Sequence, residues 1–335
     1  MTYAEAIADA TVAALSADPH AIVLGVGVAD EKGIFGTTRA ARVVYPDRVL
    51  ETPLSENMLT GALMGLIHAS MKPMLVHARA DFTTLSAEHL INTLAKWSFM
   101  SGNPRYPVPA AVRAIIGQGF GQGPQHSQSL AHIFAGVPGL DVLMPYDVPT
   151  AAQAVRNWPN AYKPRVIIEH RRLYNSTFEF DCDKYQQAEW EADIQIVACS
   201  AAVMDAVAAA EILEAEGKRV NITPWNRVSE PAEAMPDETR GAGNEYGAPV
   251  LYVDVAPAPG VMASAMAYYT QRSMAYQPAG NMKLLTPPSY PCPTSFALEQ
   301  GWYVTSQDIA HAAGKMIGVD IPLTNSTAFQ TGESF

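Results

Sequence analysis

Short apolar segments alternate with amphipathic segments along the first half of this chain, and this alternation constrains its fold more than any other feature. The apolar runs AIVLGVGV (21–28), KPMLVHA (72–78) and PRVIIEH (164–170) are typical of strands buried on both faces. ENMLTGALMGLIHAS (56–70) and SAEHLINTLAKWSFM (86–100) have the apolar spacing of amphipathic helices, and each predicts one helix. Strands that alternate with helices indicate an α/β fold with a mostly parallel sheet flanked by helices.

A second region of the same kind follows an interruption. Residues 171–192 are charged and aromatic, show no clear period and are interpreted as a linker. Strand and helix patterns then resume, and the length of 335 residues is itself enough for about two domains. We therefore predict two α/β domains, residues 1–185 and 186–320, each with a mostly parallel sheet. A polar tail at 321–335 is expected to be loosely ordered.

The composition excludes several classes of partner and location. The net charge of −11, with Lys and Arg scattered along the chain, argues against a nucleic acid or an anionic membrane as partner. No uninterrupted apolar window of about 18 residues predicts a membrane span. Three cysteines without CxxC spacing fit a reducing compartment, and the amino-terminal helix pattern does not resemble a signal peptide. We expect a cytoplasmic protein, and the low charged fraction of 16% favours an oligomer.

Several side chains stand where strands end and helices begin, the edge at which α/β proteins bind ligands. Glu56 opens a helix pattern, so it is either an ordinary helix-start residue stabilised by the helix dipole or an acid aimed into a pocket. Phe82, after Asp81, is either a core residue or a platform for a flat ring. His126 either bonds local backbone or moves protons near neutral pH. The glycine-rich segment 117–124 lacks the lysine of a P-loop, so a flexible turn and a phosphate cradle both stay open.

Four of these features recur together in one family. ETPLSE (51–56), Phe82, INTLAKWSFMSG (91–102) and GQGPQHSQSLAHIFAGVPGLDVLMPYD (121–147) make this chain resemble the beta subunits of thiamine-diphosphate-dependent 2-oxo acid dehydrogenases. These include the pyruvate, branched-chain and acetoin types, and the wider group is transketolase-like. The resemblance extends over nearly the whole chain and is weaker in the second half.

The resemblance implies a cofactor and a role for each matching residue. Residues 1–185 would hold the aminopyrimidine ring of thiamine diphosphate, and residues 186–320 would form the transketolase-like carboxy-terminal domain. Glu56 matches the glutamate that shares a proton with a pyrimidine ring nitrogen, Phe82 matches the aromatic residue that stacks on that ring, and Leu54 matches a cofactor-binding position. His126 matches the active-site histidine near the substrate.

The resemblance also implies partners. An alpha subunit would share the cofactor and hold its diphosphate through Mg²⁺, and the Gly-Asp-Gly motif of such subunits is absent from this sequence. No metal ligand is therefore expected in this chain. The assembly would be an α2β2 heterotetramer acting on a 2-oxo acid, with a lipoyl acyltransferase as a further partner.

Two departures from the family pattern leave the reaction open. Val26 stands where the family usually has an acidic residue near the cofactor, and Asp254 and Val255 replace a glutamate–glycine pair in the second domain. The first hypothesis is a decarboxylating subunit that passes an acyl or aldehyde fragment to a lipoyl domain. The second is a carboligase or transketolase-like synthase that transfers a two-carbon fragment to an aldehyde or ketone. A third, a non-catalytic subunit that keeps the fold, is disfavoured by the presence of Glu56, Phe82 and His126.

Overall fold

The chain is divided by its contacts into two compact units. The computed structural model describes residues 1–117, 121–186, 192–231, 248–273 and 282–323. The first unit comprises residues 1–117 and 126–179, and the second comprises residues 118–125 and 180–335. The domain boundary at residue 185 stays a prediction.

A six-stranded sheet, parallel throughout, forms the centre of the first unit. Its strand order is β2-β1-β3-β4-β6-β5. The strands are β1 (Ala21–Gly25), β2 (Val49–Glu51), β3 (Lys72–His77), β4 (Ala111–Ile116), β5 (Asp141–Leu143) and β6 (Arg165–His170). Every residue of β1 is buried, as its continuous apolar run predicted, and every residue of β4 is buried as well. The predicted α/β class, with parallel sheets flanked by helices, is confirmed.

The helices of the first unit follow the predicted alternation. They are α1 (Tyr3–Ala17), α2 (Arg39–Val44), α3 (Glu56–His68), α4 (Thr83–Glu88), α5 (Trp97–Met100), α6 (Ala131–Ala135) and α7 (Val148–Arg156). Helix α1 begins with a capping box, in which the Thr2 hydroxyl accepts from the Glu5 N–H and the Glu5 carboxylate accepts from the Thr2 N–H.

Strand β1 ends earlier than its apolar run predicted, and a glycine explains the early end. The run extends to Val28, but the strand stops at Gly25, where φ is +153°. A Cβ at Gly25 would lie 2.4 Å from the Val76 carbonyl oxygen, so the two neighbouring strands approach too closely for a side chain here. The chain then leaves the sheet at Val26.

The prediction of a single helix over 86–100 is wrong. After α4 the chain forms a π-helical turn at His89–Thr93 and a 3₁₀ turn at Leu94–Lys96 before α5 begins. A Cβ at Gly139, where φ is +98°, would lie 2.0 Å from the Ala95 carbonyl oxygen. The backbone of this segment therefore packs directly on Gly139, a long-range contact that helical spacing does not encode.

A buried ion pair joins two central strands. Arg113 on β4 and Glu169 on β6 are both fully buried, with Nε–Oε1 and Nη2–Oε2 distances of 2.5 and 2.9 Å. Arg113 Nη2 also donates to Thr37 Oγ1 at 3.1 Å, and the Tyr174 hydroxyl donates to Glu169 Oε2 at 2.6 Å. Burial is the largest single influence on the pKa of Arg113 and lowers it, but the charge of Glu169, its hydrogen bond to Arg113, and Tyr174 and Tyr3 together raise that pKa above its usual value. Arg113 therefore keeps its charge inside the sheet.

The first part of the predicted linker belongs to the first unit. Tyr174 is buried and stacks on Tyr3 with ring centroids 5.9 Å apart. The Tyr3 N–H donates to the Ser176 carbonyl at 2.9 Å, and the Ala4 N–H donates to the Tyr174 carbonyl at 3.1 Å. Tyr174 and Ser176 therefore contact the start of α1, and because the first unit extends to residue 179, the expectation of a linker starting at 171 is wrong.

The second unit contains a four-stranded parallel sheet with the order β10-β9-β7-β8. Its elements are α8 (Cys182–Tyr185), β7 (Ile194–Cys199), α9 (Ala202–Ala215), β8 (Val220–Trp225), β9 (Val250–Val253), α10 (Met262–Ser273), β10 (Met282–Leu285), α11 (Phe296–Gln300) and α12 (Ser306–Ile317). Strand β8 was not predicted, because Asn221 and Pro224 interrupt its apolar pattern. Its position at the edge of the sheet tolerates the proline.

Two further expectations concern the carboxy-terminal tail and membrane-spanning helices. Most of the predicted tail, from residue 324 onwards, lies outside them. Within them, the helices are all too short or too polar to cross a bilayer.

Candidate functional site

An open cleft in the first unit lies at the carboxyl ends of β1 and β3 and at the start of α3. Its cavity volume is about 80 Å³, and with the adjoining open solvent the empty space is about 400 Å³. Three residues predicted to bind a cofactor, Leu54, Glu56 and Phe82, line this cleft together, and so does Val26. The other lining residues are apolar except for His77. The cleft thus combines one carboxylate and one imidazole with an otherwise apolar wall, the usual character of a small-molecule site.

The carboxylate of Glu56 is available to a ligand. Glu56 is the first residue of α3, follows Ser55 and is half-buried. Its position in the first turn stabilises the negative charge through the helix dipole. Among the described residues, none donates a hydrogen bond to this carboxylate, whereas the Glu56 backbone carbonyl accepts one from the Thr60 hydroxyl at 2.7 Å. The helix therefore fixes the backbone of Glu56 and leaves its carboxylate free to accept from, or share a proton with, a bound ring.

Phe82 and His126 lie side by side although they are 44 positions apart in the sequence. Their ring centroids are 5.8 Å apart, with the planes at 58°. Asp81 holds the two segments together, because its Oδ1 accepts from the Gln128 side-chain amide at 2.8 Å and from the Gln128 N–H at 3.3 Å. His126 is exposed and stands next to a wall residue of the cleft without lining the cleft itself. The structure thus brings all four predicted site residues into one neighbourhood.

A second carboxylate, which sequence reasoning did not single out, supports the cleft wall at Val26. Glu51 Oε1 accepts from the Gly27 N–H at 2.5 Å, and Oε2 accepts from the Ala29 N–H at 3.0 Å. These bonds fix the segment that leaves β1, so that Val26 stays 41% exposed at the cleft. Leu54, which is 73% exposed, stands in the same lining. Glu51 is the first residue of ETPLSE, so the signal was present in the quoted motif.

The glycine-rich segment proposed as a weak phosphate cradle uses one of its N–H groups within the protein. Residues 118–120 lie outside the described part of the chain. The Gly121 N–H donates to Glu299 Oε2 at 2.7 Å, and Glu299 is 1% exposed. A carboxylate thus occupies the N–H group at Gly121 that a phosphate would need, which favours the turn interpretation at that residue.

Two histidines at strand ends are held in the neutral form. His77, the last residue of β3, is 5% exposed, and burial lowers its pKa to about 4. His170, the last residue of β6, has its pKa lowered to about 3, first by burial and then by the charge of Arg172. Both imidazoles are therefore uncharged at neutral pH.

Because these two histidines are neutral in the folded unit, we predict that the first unit loses stability in mild acid. An unfolded histidine titrates at about 6.5, so below that pH the unfolded chain binds protons that the folded unit does not. The contribution of these histidines to the free energy of unfolding is fully present above about pH 6.5. It is lost as the pH falls towards 4, and the loss from His77 alone is about 3 kcal/mol. Amide hydrogen exchange of β3 and β6 peptides, corrected for the intrinsic rate, checks this at about pH 7 and about pH 5. Equal free energies of opening at the two pH values would contradict it.

Comparisons with known proteins identify relatives of this chain. A family model described as "Transketolase, pyrimidine binding domain" matches residues 1–177. The acetoin:2,6-dichlorophenolindophenol oxidoreductase subunit beta of Cupriavidus necator is 30% identical over 322 residues, which cover 90% of this chain and 93% of that protein. The chain belongs to the beta-subunit family of thiamine-diphosphate-dependent 2-oxo acid dehydrogenases.

Two further relatives of this beta-subunit chain show how far the likeness extends. The mitochondrial pyruvate dehydrogenase E1 component subunit beta-1 of Oryza sativa is 32% identical over 229 residues, 65% of this chain and 61% of that protein. The alignment thus spans less than two thirds of the rice subunit. The solved structure "Split gene transketolase, inactive beta4 tetramer" has a TM-score of 0.70 at 18% identity and covers 96% of this chain and 99% of that one. At that identity it supports the transketolase-like fold alone.

Proposed function

We propose that this chain is the beta subunit of a heteromeric enzyme that uses thiamine diphosphate to decarboxylate a 2-oxo acid and passes the acyl or aldehyde fragment to a lipoyl domain. The observation that carries the proposal is the meeting of Glu56, Phe82 and Leu54 in one apolar cleft. An alpha subunit would complete the site, hold the diphosphate through Mg²⁺ and assemble with this chain as α2β2. A cytoplasmic location, expected from the cysteines, stays a prediction.

The cleft fits the aminopyrimidine end of the cofactor. A flat heteroaromatic ring needs an apolar wall, an aromatic neighbour and a polar group at its edge, and the cleft offers apolar side chains, Phe82 and the unengaged carboxylate of Glu56. Among the described residues there is no group of three or more His, Cys, Asp and Glu placed to hold a metal ion. The family resemblance implies that the alpha subunit binds the metal end of the cofactor, and our proposal adopts that assignment.

The residues of this chain then have distinct tasks. Bound thiamine diphosphate supplies the nucleophilic carbon that cleaves a 2-oxo acid. Glu56 shares a proton with a nitrogen at the edge of the ring, and its apolar surroundings limit competition by water. Phe82 offers an aromatic face to the ring, and Leu54 and Val26 close the cleft at its rim. His126, exposed beside Phe82, is placed to donate a proton to the substrate or to bind its carboxylate.

A second candidate function rests on Val26. Because Val26 lines the cleft where the family usually has an acidic residue, the proton-transfer groups at this wall are reduced to Glu56 and His77. That change favours a carboligase or transketolase-like synthase that transfers a two-carbon fragment to an aldehyde or ketone. The two functions are separated by assaying the assembled enzyme with three acceptors in turn: a reducible dye, a lipoyl domain and an aldehyde. Productive reductive acylation of the lipoyl domain would count against the carboligase.

The proposed cofactor site is tested by Phe82→Ala. Loss of the aromatic neighbour is expected to weaken thiamine diphosphate binding about fivefold, since ring stacking contributes about 1 kcal/mol beyond buried area. Calorimetry on the chain co-purified with its alpha subunit measures the affinity.

Phe99→Ala is the matched control for Phe82→Ala, because Phe99 is 74% exposed and outside the cleft lining. Its complex is expected to bind the cofactor like the wild type at equal subunit content. A wild-type complex that binds no thiamine diphosphate would favour the non-catalytic subunit instead.

A further inference from the structure

A buried carboxylate, that of Asp81, binds the segment that carries His126. Asp81 is 7% exposed and lies in the 3₁₀ turn Ala80–Phe82, between β3 and α4. Burying a carboxylate is costly unless hydrogen bonds compensate the lost water. Within the described part of the chain, the donors that meet this carboxylate are the N–H and the side-chain amide of Gln128, 47 positions away. The buried carboxylate and the His126 segment therefore depend on each other.

Asp81 is itself fixed in place. The Thr84 hydroxyl donates to the Asp81 carbonyl at 2.7 Å, and the Phe82 N–H donates to the Arg79 carbonyl at 3.2 Å. The turn continues directly into α4. Asp81 and Phe82 thus share one short, hydrogen-bonded turn, and Asp81 holds Gln128 at a defined place relative to the Phe82 ring.

The bonds at Gln128 also orient His126. Over residues 126–129 the exposed side chains of His126 and Gln128 alternate with two buried serines. Such an alternation is typical of side chains at i and i+2 that lie on the same side of the chain. Because Gln128 is bound to Asp81 beside Phe82, the His126 ring stands against the Phe82 ring, with centroids 5.8 Å apart.

The ring contact alone is too weak to hold His126. An exposed histidine that packs on one aromatic neighbour loses rotamer freedom, and this loss offsets much of what the contact contributes. Hydrogen bonds to an ionised acceptor are roughly twice as strong as bonds between neutral groups. The two bonds from Gln128 to Asp81 are therefore the stronger constraint on where His126 lies.

We infer that Asp81 is a positioning residue for the proposed reaction and that it acts by holding Gln128, so that His126 stays at a defined place beside Phe82. The inference rests on the proposed function, because it concerns the histidine that we place near the 2-oxo acid. A proton donor works only within hydrogen-bond reach of its substrate, and small misplacements lower the rate strongly. Asp81 does not line the cleft, so its effect on the reaction is exerted through His126.

Two substitutions of Asp81 separate the hydrogen-bond acceptor from the charge. Both Gln128 bonds end on Oδ1, so alanine removes their acceptor, whereas asparagine keeps a carbonyl oxygen that can replace it. Asp81→Ala is expected to lower kcat/KM for the 2-oxo acid about tenfold or more, with thiamine diphosphate affinity within about threefold of the wild type. Asp81→Asn is expected to stay within about threefold in both quantities.

The rates are measured on the assembled alpha–beta complex with pyruvate and a reducible dye, the affinity by calorimetry, and the folding of each variant by thermal unfolding. Asp9→Ala, at an exposed position of α1, is the matched control and is expected to behave like the wild type. An unchanged kcat/KM in Asp81→Ala overturns the inference. So does a loss of cofactor affinity as large as the loss of rate, since it would indicate a damaged Phe82 turn. An Asp81→Asn enzyme as impaired as Asp81→Ala would assign the effect to the charge instead.

Gln128→Ala repeats the test from an exposed position, where the fold is not at risk. It removes the 2.8 Å bond to Asp81 and keeps the backbone N–H, so kcat/KM is expected to fall about threefold or more. A wild-type kcat/KM in Gln128→Ala contradicts the inference.

Hydrogen exchange tests the contact without the reaction. The Gln128 N–H loses its acceptor in Asp81→Ala, so its exchange, resolved by fragmentation mass spectrometry of the full-length chain in the complex, is expected to be about fivefold faster than in the wild type and in Asp81→Asn. Equal exchange in Asp81→Ala and the wild type overturns the inference whatever the cofactor does. A wild-type complex without 2-oxo acid turnover overturns the proposed function and the role of His126 with it, and the exchange result distinguishes that failure from the absence of the contact.

Discussion

Glu56→Gln is expected to reduce the 2-oxo acid-dependent dye reduction of the assembled enzyme by about 100-fold or more. Glutamine has nearly the shape of glutamate and fits the same first turn of α3, but it cannot take up or release a proton near neutral pH. A positioned proton-transfer group contributes about 10²–10⁴ in rate, and Glu56 is the one carboxylate among the described residues that line the cleft. The rate is measured with pyruvate as the 2-oxo acid and a reducible dye as the electron acceptor.

The pattern of loss distinguishes proton transfer from simple binding. If Glu56 acts mainly by sharing a proton, the variant should retain thiamine diphosphate affinity within a few fold while the turnover number falls. Glu88→Gln is a suitable control, because Glu88 ends α4, is exposed and lies outside the cleft lining. A Glu56→Gln enzyme that keeps more than about a third of the wild-type rate would remove Glu56 from the mechanism.

The sequence could predict the individual residues of this site. Glu56 and Phe82 follow recognisable motifs, and parallel strands bring their carboxyl ends to one edge of the sheet, so a common site at that edge could be expected. In the structure, Glu56 and Phe82 line one cleft at that edge. The catalytic role of each residue stays a prediction.

The sequence could not predict contacts between residues that lie far apart in the chain. Asp81 and Gln128 lie far apart in sequence, yet their hydrogen bonds place His126 beside Phe82. Thr60 and Ser86 are ordinary helix residues in sequence, and only their 2.7 Å contact shows why they are polar. The failed helix prediction at 86–100 has the same origin, since side-chain spacing reports which face of a segment is apolar and not which backbone it touches.

Arg113→Met is expected to lower the free energy of unfolding of the first unit by about 3–5 kcal/mol. The substitution leaves the Glu169 carboxylate fully buried, with the Tyr174 hydroxyl as its remaining donor among the interactions described above. Removing one partner of a buried pair costs this much because the surviving charge keeps its desolvation penalty and loses its counter-ion. Urea unfolding is carried out near pH 7 and monitored by hydrogen exchange of β4 and β6 peptides. These peptides give the free energy of unfolding of the first unit separately from that of the second.

The double variant Arg113→Met/Glu169→Leu decides whether the uncompensated charge is the cause. With both charges removed, two apolar side chains fill the space, and most of the lost stability is expected to return. A double variant as unstable as Arg113→Met alone would instead assign the loss to packing or to the bond between Arg113 and Thr37. That bond matters for the site, because Thr37 belongs to the loop that leaves β1 at Val26, and Thr38 beside it donates to the Val28 carbonyl at 2.8 Å. If the double variant regains stability but still binds thiamine diphosphate weakly, the buried arginine serves the cleft as well as the sheet.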